Sequence, residues 1–428
     1  MTTLDGGERI VTERVRSVRS VALGIWIGAG SRDETAERAG ISHFIEHLLF
    51  KGSSRYSGVQ IAQVFDGLGG ELNAATAKEY TVLYARVLDA HLESALDVMS
   101  DMLLAPTFEA DELNSEREVV LEEIAMYEDS FHDLAHDLIA GAVFTDHPLG
   151  RPVIGTADVI SSVSRRALAG YHRTAYSPGN VVVAAAGNLE HDRLVALLQR
   201  SERRAGAPAR AGTRVRRPLA RLPGPGLRFQ RKETEQYHLC LGAIGISRSD
   251  RRRFAASLLD SILGGSASSR LFQEIREKRG MAYAVYSFGA QYTDTGILGV
   301  YVGTREENLA ACVEICVEQI AEIAAGRLRK GELERAKENL KGRIVLSLES
   351  TSNRMSRLGK SLVTDTELLT LERVMAEIEA VESSELAELA AALLPPERLA
   401  AAGVGPDEAR FRSAVGRASS RLVEQAAA

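Results

Sequence analysis

The chain is written twice, and this constrains its fold more than any other feature. The first half opens with the strand-like run "SVALGIWIGAGSRDE" (Ser20 to Glu34), the second with "YHLCLGAIGISRSD" (Tyr237 to Asp250). A helix-like segment follows in each, "HFIEHLLFKG" from His43 and "ASLLDSILGG" from Ala256. Longer charged helices come later, "ADELNSEREVVLEEI" from Ala110 and "KGELERAKENLKGRI" from Lys330. Each half closes on a proline, an apolar strand and a glycine turn: "YSPGNVVVAAAGNLEHD" (Tyr176 to Asp192) and "LPPERLAAAGVGPDE" (Leu394 to Glu408). The offsets cluster at about 213 to 220 residues, as a tandem duplication requires.

Between the copies lies "RRAGAPARAGTRVRRPLARLPGPG" (Arg203 to Gly226), dense in Ala, Gly, Pro and Arg and free of acids. It reads as a linker, which divides the chain into domains at 1–205 and 227–428 around 206–226. Each part of the 428-residue chain is long enough to bury its own core. "TVLYARVL" (Thr81 to Leu88) and "TGILGVYVGT" (Thr295 to Thr304) read as strands, and "LESALDVMSDML" (Leu92 to Leu103) has helical spacing. The expectation is two α+β domains, each a sheet with helices packed on it.

A net charge of −6 gives no electrostatic case for nucleic acid or anionic membrane as a main partner. The arginines of the linker have no aromatic residues between them, so they read as a solvated segment and not as a nucleic-acid arm. Three cysteines, Cys240, Cys312 and Cys316, are an odd count confined to the second half. They read as buried thiols and not as a disulfide framework. No basic stretch followed by an apolar core opens the chain, and no apolar run approaches the length of a membrane span. The expectation is a soluble, cytoplasmic protein.

One apolar run carries charge where burial makes it costly. In "ISHFIEHLLFKG" (Ile41 to Gly52) a helix puts His43, Glu46 and His47 on one face and Phe44, Ile45, Leu48 and Leu49 on the other, with Gly52 placed to end it. Two imidazoles at i and i+4 can grip one tetrahedral Zn²⁺, and a carboxylate between them stands where a general base for water is needed. A third ligand has to come from elsewhere. The acidic helix "SEREVVLEEIAMYED" (Ser115 to Asp129) offers Glu116 with Glu123 on one face and Glu118 with Glu122 on another; spacing does not choose between them. A second histidine pair, His132 and His136 in "FHDLAHD", has Asp133 adjacent to the first and not three residues on, and no apolar pattern marks it as buried.

The order H-x-x-E-H in "HFIEH" is the inverted zinc motif. With Glu123 downstream, and with "AGSRDE", "GGELNAATAKEYT", "EREVVLEEIAMYED", "HPLGRPVIGT" and "SSRLFQEIREKRGMAYAVYSF" around it, the chain resembles the M16 metallopeptidases. This is the pitrilysin, insulinase and mitochondrial processing peptidase family, and the likeness is greatest to its short M16B-type subunits. The resemblance implies the M16/LuxS-like metallohydrolase fold, with mainly antiparallel sheets. It implies one Zn²⁺ per chain on His43, His47 and Glu123, with Glu46 as general base and Glu116 orienting the site. It implies that Arg276 binds the substrate backbone or terminus, that Tyr283 stabilises the transition state, and that both come from a partner subunit. Asn73, Ala74 and Ala75 in "GGELNAATAKEYT" would pair with extended peptide by strand addition. "GGSASS" (Gly264 to Ser269) resembles a shortened form of a glycine-rich loop found in a non-catalytic family member; without a following Lys-Ser/Thr it does not read as a phosphate site. The second copy shows Ala256, Leu259 and Asp260 opposite His43, Glu46 and His47, and Arg343 opposite Glu123. The resemblance therefore implies an endopeptidase acting on unfolded or presequence-like peptides, enclosed by a homodimer or by a heterodimer with a related subunit. Family members that only scaffold a partner lose part of the H-x-x-E-H set, and this chain keeps all of it.

Overall fold

The computed structural model describes residues 1–205 and 226–419. The described chain forms two compact units, each built on one sheet. In the first, β1 (Thr2–Thr3), β2 (Arg9–Arg14), β3 (Ser20–Ile27), β4 (Glu71–Thr76), β5 (Thr81–Leu88) and β6 (Val181–Gly187) lie in the order β1-β2-β6-β3-β5-β4. Only β2 and β6 run parallel; the other neighbours are antiparallel. In the second, β7 (Leu227–Arg231), β8 (Tyr237–Gly245), β9 (Ala282–Gln291), β10 (Gly296–Thr304) and β11 (Ala400–Gly405) lie in the order β7-β11-β8-β10-β9, with β7 and β11 parallel. Strand for strand, this repeats β2-β6-β3-β5-β4. The doubling of the sequence is a doubling of topology.

The central strands are buried on both faces, so each sheet needs cover on two sides. Along β3, Val21, Leu23, Ile25 and Ile27 point into one core while Ala22 and Trp26 point into another. The first core is closed by α1 (Ile41–Leu49), α2 (Gly58–Leu68), α3 (Leu92–Leu104) and α4 (Ala110–Asp129). The opposite face is closed by Met355, Leu358 and Val363 of the helix Thr351–Val363, from the second half of the sequence. In the other unit, the corresponding face of β8 and β11 is closed by Ala135, Ile139, Ala142 and Val143 of α5 (Phe131–Phe144), from the first half.

The units are therefore not the continuous halves 1–205 and 227–428. Residues 126–150 belong to the second unit and residues 345–368 to the first. The physical reason is that each half of the sequence, folded alone, leaves one apolar sheet face uncovered. The expected linker, 206–226, lies outside the described residues apart from Gly226. The three cysteines are free and buried. No helix among the described residues is long and apolar enough to cross a membrane.

Candidate metal centre

Three devices hold α1. Its apolar side, Ile41, Phe44, Ile45, Leu48 and Leu49, is fully buried in the first core. Its first turn is tied down by Glu34, whose carboxylate accepts the N–H of Gly40 at 2.7 Å and of Ser42 at 2.8 Å. Gly40 is itself required: its φ is 94°, and a Cβ there would run into the carbonyl of Ile154. The half-buried side of the helix then presents His43, Glu46 and His47 together.

α4 buries Leu113, Val120 and Ile124 in the core that α1 also enters, and its Arg117 guanidinium lies 5.6 Å from the Phe44 ring centroid of α1; Glu116 and Glu123 come with it towards the histidines. His43 Nε2 and His47 Nε2 are 3.3 Å apart, and Glu123 Oε2 lies 3.7 Å from the first and 3.4 Å from the second. Donors around a tetrahedral ion with bonds of 2.0–2.1 Å stand about 3.3 Å apart, so these three atoms fit a zinc ion and leave the fourth position open. Among the described residues this is the one group of three or more His, Cys, Asp or Glu donors that converges in this way. Glu118 and Glu122, which spacing leaves open as ligands, are both exposed.

Glu116 is buried, and its Oε1 lies 2.9 Å from His47 Nδ1. With a carboxylate there, Nδ1 carries the proton and Nε2 keeps a lone pair for a metal. The other carboxylate oxygen pairs with Lys51 Nζ at 2.5 Å. Burial, and then the neighbouring His47, push His43 down to about 4, so it is neutral at pH 7 and available as a ligand. Its Nδ1 is buried with no hydrogen-bond partner among the described residues, so the two imidazoles are held unequally.

Glu46 accepts a hydrogen bond from Thr76 Oγ1 at 2.5 Å. Burial pushes its carboxyl above the ordinary range, the Thr76 hydroxyl pulls it back, and the charge of Glu123 adds to the upward push. Thr76 is the last residue of β4, the edge strand of its sheet, whose outer side has no strand beside it among the described residues. Asn73, Ala74 and Ala75 occupy the middle of that strand, and Ala74 N–H is taken by the Asn73 side chain at 2.8 Å. Glu46 of α1 and the open strand edge thus meet at one hydrogen bond.

Arg276 and Tyr283 belong to the second unit, where they meet each other. The Arg276 guanidinium lies 4.6 Å from the Tyr283 ring centroid and 4.7 Å from that of Phe272, and it donates to the Tyr283 carbonyl oxygen at 3.3 Å. Arg276 stands on a π-helical turn, Phe272–Glu277, and Tyr283 is 79% exposed, unusual for a large aromatic ring. In the copy of α1, the helix Arg253–Leu263, Asp260 accepts from Ser287 Oγ at 2.6 Å, and the charge of Arg343 acts on it.

Sequence reasoning missed Glu34, Lys51 and Thr76. Glu34 acts on the backbone of the first turn of α1, whereas Thr76 and Lys51 each act on a site carboxylate from 30 and 65 positions away, so no local period marks them.

Two family models match the chain. One, described as insulinase (peptidase family M16), covers residues 9–157; the other, described as the peptidase M16 inactive domain, covers residues 162–340. An uncharacterized zinc protease of Streptomyces coelicolor is 43% identical over 91% of this chain and 86% of its own. One of Mycobacterium tuberculosis H37Rv is 43% identical over 95% and 92%, and the zinc protease YmxG of Bacillus subtilis 42% over 91% and 94%. Among solved structures, a peptidase M16 inactive domain from Pseudomonas fluorescens superposes with a TM-score of 0.87 at 24% identity, covering 95% of this chain and 97% of that one. A protease from Helicobacter pylori superposes with a TM-score of 0.85 at 20% identity, covering 95% and 98%. At that identity the superpositions establish the fold.

Proposed function

The chain belongs to the M16 peptidase family, and on that premise we propose that it is a zinc-dependent endopeptidase acting on extended, unfolded or presequence-like peptides. The observation that carries the proposal is the meeting of His43 Nε2, His47 Nε2 and Glu123 Oε2 within 3.7 Å, with a separate carboxylate, Glu46, on the helix of the two histidines. His43, His47 and Glu123 would hold one Zn²⁺ per chain. When bound there, zinc supplies a Lewis acid for the scissile carbonyl and lowers the pKa of water towards about 7.

The rest is the work of the protein's own side chains. Glu46 takes the proton of the attacking water and returns it to the departing amine, and Thr76 keeps its carboxylate aimed. Glu116 fixes the tautomer of His47. The free edge of β4 binds the substrate backbone as an added strand, which gives affinity with little demand on sequence. Arg276 and Tyr283, already stacked together, are assigned to the substrate carbonyl or terminus and to the developing oxyanion, acting from a partner subunit. Two copies, identical or related, are proposed to enclose the peptide. A purely scaffolding role is disfavoured because the full donor set is present; the model described as inactive matches residues 162–340, which contain none of it.

The test is cleavage of a quenched peptide library by protein of counted zinc content. The zinc-loaded chain should cleave, a chelator should stop it, and Glu46→Gln should lose about 10²–10⁴-fold in rate with its zinc retained. Full cleavage by the Gln variant would remove Glu46 from its role. No cleavage by any zinc-loaded assembly would overturn the proposal. Sedimentation of the same samples reports the oligomeric state.

A further inference from the structure

α5 carries the second histidine pair, and the proposed peptidase uses neither ring. The Nε2 atoms of His132 and His136 both meet one oxygen, the hydroxyl of Tyr286 on β9, the latter at 2.7 Å. Tyr286 arrives from 150 residues away, so no spacing rule could have paired it with them.

The three groups are built into their places. The Tyr301 ring stacks on His136 at 5.6 Å between centroids and on Tyr286 at 5.0 Å. Phe288 stands edge-on to His136 at 4.6 Å, and His238 Nδ1 lies 2.7 Å from the Tyr301 hydroxyl. Behind His132, Asp133 Oδ1 is 3.2 Å from Nδ1, and the Ser130 hydroxyl donates to the other oxygen of that carboxylate at 2.6 Å. An acid behind one imidazole is what orients a histidine ligand elsewhere in proteins. Burial pushes His136 down to about 4, so at pH 7 it is neutral. One edge is open, since the His132 side chain is 48% exposed.

A tyrosine hydroxyl has one proton and cannot donate to two imidazoles at once. Either one ring donates back, or a cation replaces the shared proton and takes all three donors. We propose that His132, His136 and Tyr286 form a second metal site, suited to a first-row divalent ion that accepts imidazole nitrogen and phenolate oxygen. Copper(II) ranks first by the affinity order of such ions. On binding, both Nε2 lone pairs and the phenolate oxygen become ligands, the hydroxyl proton leaves to solvent, and no electron changes hands. The site shares no residue with the proposed peptidase centre, so either can fail without the other.

The experiment is titration of the full-length, zinc-loaded chain with copper(II) alone. It is followed by elemental analysis of both metals and by the visible charge-transfer band that a phenolate gives on copper(II). The expectation is one copper per chain beyond the retained zinc, with that band. Tyr286→Phe keeps the stacked ring and should abolish the band and weaken copper binding on the order of 10–100-fold. His132→Gln, at the exposed edge, should weaken binding similarly while the band survives, and so serves if the Phe variant does not fold. Copper uptake only in exchange for zinc, or uptake indifferent to both substitutions, would overturn the proposal.

Discussion

Glu34 precedes His43 by nine positions, yet its carboxylate holds the first turn of α1 by accepting the N–H groups of Gly40 and Ser42. Burial raises its pKa from 4.5 to about 7. The sign of the consequence is fixed: between these values the folded chain holds a proton that the unfolded chain has released, so stability falls as pH rises through that window. The full span amounts to on the order of 3 kcal/mol. Glu34→Gln carries no such titration. The wild-type advantage over the variant in urea unfolding should therefore shrink from pH 4.5 to 7.5, and a constant difference would show that Glu34 does not titrate in this way. Glu116 gives a second prediction at this scale. Glu116→Gln replaces the charged acceptor that orients His47 by a neutral amide oxygen and should weaken zinc binding about 10–100-fold, read by competition with a chelator, with cleavage restored by excess zinc. Unchanged zinc affinity would reduce Glu116 to a partner of Lys51.

At the scale of elements, the exchanged helices close what each half of the sequence leaves open. The helix Thr351–Val363 approaches β3 closely because it has Gly359 where it crosses Trp26; a Cβ there would collide with the indole ring. Glycine inside a helix ordinarily costs about 0.5–1 kcal/mol relative to alanine. Gly359→Ala recovers that amount but forces the ring or the helix to move, at about 1–3 kcal/mol, so the net change should be destabilising. Gly342, in the helix Glu332–Ser347, is the control. A Cβ there meets nothing within 4 Å, and Gly342→Ala should stabilise by up to about 1 kcal/mol. Thermal unfolding of the two variants should move in opposite directions; a shift of the same sign would mean that the crossing at Trp26 is not tight.

For the molecule as a whole, all three donors of the candidate centre belong to one unit, so the effect of zinc should be local to it. Removing zinc should lower stability by about 2.7 kcal/mol relative to a hundredfold excess over Kd. The loss of amide protection in hydrogen exchange should concentrate in α1, α4 and β4 and spare β7 to β11; uniform loss along the chain would contradict this. Much of this organisation was legible beforehand. The doubled plan, the strands opening and closing each half, and the face joining His43, Glu46 and His47 follow from periods of two and 3.6 residues, which are local and survive in one dimension. Choosing Glu123 over Glu118 and Glu122 needed family likeness, since a helix gives every acid some face. What only the tertiary structure decided involves partners far apart in sequence: Thr76 against Glu46, Glu34 at the start of α1, Tyr286 between two histidines, and the exchange of α5 and the helix Thr351–Val363. Each depends on where an uncovered sheet face or an unmet polar atom finds its complement. That is a property of packing in three dimensions, for which the spacing of residues along the chain holds no record.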